Sequence, residues 1–160
     1  TPMDNAASVR PMFAGVLRHD AYHAYRTRLE ALLHISVNAS DLDIHDMIVA
    51  GFSASLIKVL CDDGTLSDEE RDRIIQPKTL KTKLSANQLL TLPVSDRLFR
   101  FVHITAMAEV IFGDKVKAKQ WLSKPKARFL GESPSSMVAS TFGTHLVEEM
   151  LIQVSEGMSF

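Results

Sequence analysis

Cysteine occurs once in the 160 residues. A lone Cys61 closes no intramolecular disulfide and gives a thiolate metal site no second ligand. No stretch reaches the roughly 18 uninterrupted apolar residues of a membrane helix, and the first residues lack a basic-then-apolar targeting pattern. The expectation is a cytoplasmic protein with no membrane contact. Glycine is also scarce: Gly51, Gly64, Gly113, Gly131, Gly143 and Gly157 stand singly and read as helix stops, which excludes a Walker loop or a dinucleotide fingerprint. There is no G-x-S-x-G elbow for a nucleophilic serine, and Cys61 at an apolar helix end reads as a small hydrophobe. The carboxylate pairs Asp62-Asp63 and Glu148-Glu149 fall on a turn and a solvent face, without an evident pocket. His19 and His23 have the spacing of a helical metal pair, but no Glu follows the first and no third ligand is apparent. The expectation is therefore a protein that is not an enzyme, with no catalytic residue, no metal, no cofactor and no small-molecule substrate.

What the chain has is a sorted distribution of charge. Residues 1–77 carry 7 Lys+Arg against 12 Asp+Glu, residues 78–128 carry 11 against 3, and residues 129–160 carry 0 against 4, although the whole sums to -1. A strongly basic middle inside a near-neutral protein fits a solvated face, an anionic polymer, or the acidic parts of a partner. Composition alone does not choose among them.

The periodicity is helical nearly throughout, with no sustained alternation of period two, so the fold class is all-α. No repeat or Gly/Pro-rich linker separates independent domains. The first dozen or so residues are small, polar and aperiodic, and disorder is expected over about 1–15. Tyr22, Tyr25, Leu29, Leu32 and Leu33 mark an amphipathic helix over 18–35, with Arg26 and Glu30 facing away. Ile44, Met47 and Ile48 open a second helix that Gly51 stops; Ser53 caps a third, which runs to the Asp63-Gly64 turn. Ser67-Asp68-Glu69-Glu70 fits a capping box, and Pro77 both ends that helix near Ile75 and starts the next. Ser95-Asp96 open a long helix to Phe112, apolar around nearly its whole circumference, where His103 reads as a core residue with one satisfied nitrogen. Asp114 caps a basic helix bearing Val116, Trp121 and Leu122; Ser133-Pro134 start a short one. A last helix runs from near Ser140 or Thr141 to Glu156, with Val147, Met150, Leu151 and Val154 inward and Glu148, Glu149 and Gln153 outward; His145 sits near its start. Gly157 ends it.

The pair of helices around Pro77 has local chemistry suited to DNA. In a helix-turn-helix the second helix presents side chains near its N-terminus to base edges and phosphates. Leu80 and Leu84 anchor that helix, leaving Lys78, Lys81 and Lys83 to neutralise phosphates and Thr79 and Thr82 to touch bases. Any two short helices joined by a tight turn share this outline, and a lysine-rich face is commonly just solvated.

The second half of the chain resembles a known family, the Xre/MbcA/ParS antitoxins that partner RES-domain toxins. The resemblance is carried by Ser95-Asp96-Arg97-Leu98-Phe99-Arg100, by Ala108-Glu109-Val110-Ile111-Phe112-Gly113-Asp114, by Ala118 and Trp121-Leu122 with Pro125, by Gly131 and Pro134, and by Gly143, Val147, Leu151 and Glu156-Gly157. Upstream, Ala50-Gly51-Phe52 and Pro77-Lys78-Thr79-Leu80-Lys81 look like the family's divergent helix-turn-helix. The match covers residues 43–160. It departs from the family pattern at Lys126, where relatives often have Asn, and at Leu130-Gly131, where they often have a Gly pair.

The resemblance implies a bacterial type II antitoxin with an Xre-like helix-turn-helix DNA-binding part over 43–92 and a toxin-binding domain over 93–160; residues 1–42 lie outside the match as an N-terminal extension. The helix-turn-helix part would bind operator DNA and repress transcription of its own operon. The last part would neutralise a RES-domain toxin, a relative of ADP-ribosyltransferases that consumes NAD, by blocking its active-site entrance. Glu156, Gly157, Met158, Ser159 and Phe160 then become the toxin-binding end, an acidic group and an apolar plug for a cationic, nucleotide-binding mouth. A homodimer is expected, because one small helix-turn-helix makes too few contacts for specific DNA affinity. The other reading is a free-standing helix-turn-helix regulator whose C-terminal domain dimerises or senses a ligand.

Overall fold

A computed structural model describes residues 17–157, and every regular element among them is a helix. In chain order these are α1 (His19–Leu33), α2 (Asp41–Ala50), α3 (Ala54–Asp62), α4 (Asp68–Ile74), α5 (Pro77–Ser85), α6 (Leu92–Phe112), α7 (Lys115–Ser123), α8 (Pro134–Met137) and α9 (Thr141–Ser155). A 3-10 turn, Ala127–Phe129, precedes α8. The all-α expectation holds, with strand-like pairing among the described residues limited to an isolated antiparallel bridge between Ser53 and Leu89. No helix of the described residues is long and apolar enough to cross a membrane. The disorder expected over 1–15 concerns residues outside those described. The described residues divide into two compact units, one from Leu29 to Val102, the other joining the residues from 17 to Arg28 with those from His103 to Gly157.

In the unit spanning 29–102, serine caps set the helix starts. The capping box at Ser67 is present in full: the Ser67 hydroxyl accepts from Glu70 N at 3.1 Å and the Glu70 carboxylate accepts from Ser67 N at 2.8 Å. A second box, Ser40 with Asp43, opens α2. Both satisfy amide groups that a helix start otherwise leaves orphaned. Pro77 occupies the first turn of α5 and Ile75 is extended, which leaves a two-residue connection between α4 and α5. The Ile74 carbonyl, deprived of a helical partner by that break, accepts from the Arg97 guanidinium at 3.0 Å. The α3 helix packs against both α4 and α5, through a core that includes Ile57, Leu60, Ile74 and Leu80.

The long helix starts at Leu92 rather than at Ser95-Asp96. Pro93 is accommodated because a first-turn residue needs no amide donor, and Thr91 Oγ1 lies 3.5 Å from Val94 N at the start of the helix. Ser95 has another role: it is buried, and its hydroxyl accepts from Phe52 N at 3.0 Å. That contact belongs to a clasp in which Leu90 N donates to Phe52 O at 2.7 Å and Ala54 N to Gln88 O at 3.2 Å. Gly51 does more than stop α2. A Cβ there would lie 2.2 Å from the Leu90 carbonyl oxygen, and its φ of 94° suits glycine.

In the unit containing His103–Gly157, the expected starts at Asp114, Ser133 and Ser140 are each made by a side-chain oxygen accepting from a first-turn amide. Residues 101–108 of α6 are all buried, as the continuous apolar pattern required. Gly143 is not a helix stop. It lies in the first turn of α9, where a Cβ would come 1.9 Å from the Met137 carbonyl oxygen, so the glycine lets α8 and α9 approach. Gly143→Ala should therefore lower stability by about 1–3 kcal/mol, the usual cost of forcing extra volume into a packed site. Urea unfolding followed by helicity checks this; a gain in stability, as helix propensity alone would give, contradicts it.

Candidate functional site

The two sets of residues singled out in the sequence fall in different units. On α5, Lys78, Thr79, Lys81 and Thr82 are exposed and Leu80 is buried, so the anchoring side and the basic side separate as expected. Lys78, Lys81 and Thr82 share one face by their three- and four-residue spacing. Lys83 is half-buried and turned back, its Nζ donating to the Leu89 carbonyl at 3.1 Å. The Thr82 hydroxyl donates to Lys78 O at 3.1 Å. Lys78 and Lys81 make no ion pair among the described residues, whereas Lys58, Arg71, Arg73 and Arg100 are each matched by a carboxylate on their own helix.

The other set lies at the far end of α9. Glu156 caps the helix and is exposed, and Gly157 follows, also exposed. Met158, Ser159 and Phe160 lie outside the described residues.

What fixes α9 is a buried polar cluster that joins it to residues distant in the sequence. Glu148, expected to face outward, is 1% exposed. Its Oε2 lies 2.7 Å from His103 Nε2 and its Oε1 2.8 Å from His145 Nδ1. The other nitrogen of His103, Nδ1, is 2.5 Å from the Tyr25 hydroxyl, so both ring nitrogens are engaged rather than one. With the carboxylate accepting, His103 Nε2–H donates to Glu148 and Nδ1 accepts from Tyr25, a tautomer that serves both contacts. Burial of a carboxylate is tolerated only with such partners. The signal was present in the spacing: Thr144, Val147, Glu148 and Leu151 fall at i, i+3, i+4 and i+7, one helical stripe. Only the residue type argued for an outward Glu148. Nearby, Arg28 Nε donates to Glu109 Oε1 at 2.5 Å, a second tie between α1 and α6.

The loop after α7 is built on Trp121. The Phe112 ring lies 5.7 Å from the Trp121 ring, and Lys126 Nζ sits 4.7 Å from its centroid. Burial, with Lys124 adding repulsion, pulls the Lys126 ammonium below its ordinary pKa, and the ring face partly offsets that desolvation. Cys61 is half-buried, and burial is the main cause that pushes its thiol up, away from the nucleophilic thiolate. No group of three or more His, Cys, Asp or Glu side chains able to hold a metal ion gathers among the described residues.

Residues 107–157 match the family model described as the antitoxin Xre/MbcA/ParS C-terminal toxin-binding domain. That span begins within α6 and ends just past α9, so it takes in the Trp121 loop and the Glu148 helix. The chain is also 52% identical over 153 residues to a protein named Antitoxin Xre from Pseudomonas putida, the alignment covering 96% of each. The chain thus belongs to the Xre-type antitoxins, the antitoxin components of toxin–antitoxin systems.

If the cluster on Glu148 holds α9, removing its carboxylate should be costly. Glu148→Ala is expected to destabilise by about 1–3 kcal/mol, the cost of leaving the buried Nε2–H of His103 without an acceptor. A change below about 1 kcal/mol in equilibrium unfolding, the scale of an exposed pair, contradicts the assignment.

Proposed function

We propose that this antitoxin acts in the cytoplasm by contact alone, neutralising a RES-domain, NAD-degrading toxin and repressing its own operon. In this reading the part over 93–160 binds the toxin and its end, Glu156 to Phe160, blocks the active-site entrance. The part over 43–92 binds operator DNA through Lys78, Thr79, Lys81, Thr82 and Lys83, and the chain pairs as a homodimer to reach two half-sites. Residues 1–42 form an extension to these parts.

The observation that carries the toxin-binding reading is the match of residues 107–157 to the toxin-binding domain of the family. Supporting it, α9 is held by the buried contacts of Glu148 and by Val147, Met150 and Leu151 while Glu156 and Gly157 at its end are exposed, so the helix can present its terminus without losing its own packing. The DNA reading draws on a lysine face of α5 that has no carboxylate counterpart on its own helix, whose sequence carries none. A phosphate backbone supplies the charge such a face lacks.

Deletion of residues 157–160 should abolish rescue of cells expressing the toxin encoded beside this gene, while the truncated chain keeps its thermal stability. Full rescue by the truncated chain refutes the blocking role of the tail. For DNA, replacing Lys78, Lys81 and Lys83 together by Ala should weaken operator binding and flatten its log–log salt dependence by up to about 3, one for each phosphate contact removed. The same variant should still rescue from the toxin. An unmoved affinity and slope place DNA contacts elsewhere.

A further inference from the structure

Leu130 combines two properties that a leucine seldom has together. Its backbone is left-handed, at φ 54° and ψ 39°, and it is 96% exposed. The left-handed region disfavours a residue with a Cβ by roughly tenfold in population, and glycine enters it freely. Nothing in the described packing offsets this, because the leucine side chain reaches no core.

The loop that carries it is firmly built. Leu130 N donates to Ala127 O, Gly131 N to Lys126 O and Lys126 N to Glu132 O, each at 3.0 Å. Phe129 beside it is buried, and Lys126 lies over Trp121. The leucine is thus held out on a pedestal rather than swinging on a slack segment. Arg128, two residues earlier, donates to Gln153 Oε1 at 2.7 Å. That bond places the pedestal against the last turns of α9, where Glu156 and Gly157 lead to the end of the chain. Phe142, another exposed apolar residue, is 73% exposed but lies eleven residues before Gln153. Along a helix that separation is roughly 16 Å, which sets it on a different patch.

We infer that Leu130 is an apolar anchor for the toxin, seated in a hydrophobic pocket beside the place where Glu156 to Phe160 dock. The inference rests on the toxin-binding reading above and adds a contact outside the tail. The toxin is the occupant that the position favours, since the knob stands at the end of α9 already assigned to that partner and within the matched toxin-binding span. A strained and exposed leucine is a cost to the free chain that a pocket on the partner repays on binding.

The test uses full-length protein carrying Leu130→Gly or Leu130→Asn, residues that accept left-handed geometry. Each is titrated calorimetrically against the purified product of the neighbouring toxin reading frame, and each free variant is melted and sedimented. The expected result is a split. Free variants melt at or above the wild-type temperature and keep its oligomeric state, while toxin affinity falls by roughly ten- to a hundredfold, the worth of covering a leucine side chain. Unchanged affinity overturns the inference and leaves the toxin-binding reading standing. So does a lowered melting temperature without loss of affinity, which would mean that residues 158–160 of the same chain cover Leu130, and so does altered self-association with affinity intact, which would assign the knob to a second copy. If the wild-type chain itself fails to bind the toxin, the reading falls and this inference with it.

Discussion

A carboxylate with 1% of its surface exposed must be met by donors at the right distances, or the chain folds some other way. Glu148 meets that condition through His103 on α6 and His145 one turn earlier on its own helix, with Tyr25 from α1 completing the line behind His103. Apolar contacts tolerate sliding and rotation, whereas these hydrogen bonds do not. Val147, Met150 and Leu151 supply the burial of α9, and Glu148 supplies its register. A family member whose proposed work is done by the end of that helix needs the register more than it needs extra adhesion.

The same economy of contacts governs the way the helices begin and end. Serine caps at positions 40, 53, 67, 133 and 140 and an aspartate at 114 turn orphan amides into fixed starts. Two glycines, 51 and 143, permit backbone approaches that any Cβ would obstruct. Against this closely determined framework, two places depart from what packing alone would choose. One is the lysine face of α5, and the other is Leu130 on the loop after α7. If the chain works as proposed, each is a surface whose complement lies on another molecule.

Much of the fold was legible because short helices with strong caps announce themselves locally. The Ser67 box, Pro77 at the start of α5, Asp114 before α7 and Ser133-Pro134 before α8 all follow from side chains within a few residues of one another. The start of α6 was misplaced by three residues because Pro93 reads as a breaker or as a first-turn residue with equal justice. What decides is that Ser95, the attractive cap, is needed by Phe52, which is 43 positions away. Gly143 was misread for a similar reason: only the Met137 carbonyl explains it, and its contact crosses from one helix to the next. Glu148 was hidden most thoroughly, since its partner His103 lies 45 positions away and only His145, three residues earlier, is within local reach. In the site, the residues of α5 stood out by composition, and the family motifs pointed to the end of α9. The left-handed Leu130 had one trace in the sequence, its place before Gly131 where relatives often carry a pair of glycines.

An inhibitor that works by occupying a surface acts stoichiometrically, and that property is measurable. For the function proposed above, the decisive quantity is the NAD consumption attributed to the neighbouring toxin, measured with that protein purified as this one is titrated in. Consumption is expected to fall linearly and stop at a fixed molar ratio, with the two proteins eluting together at that ratio. Consumption that continues undiminished in excess antitoxin, or that is absent from the toxin alone, would contradict inhibition by occupancy.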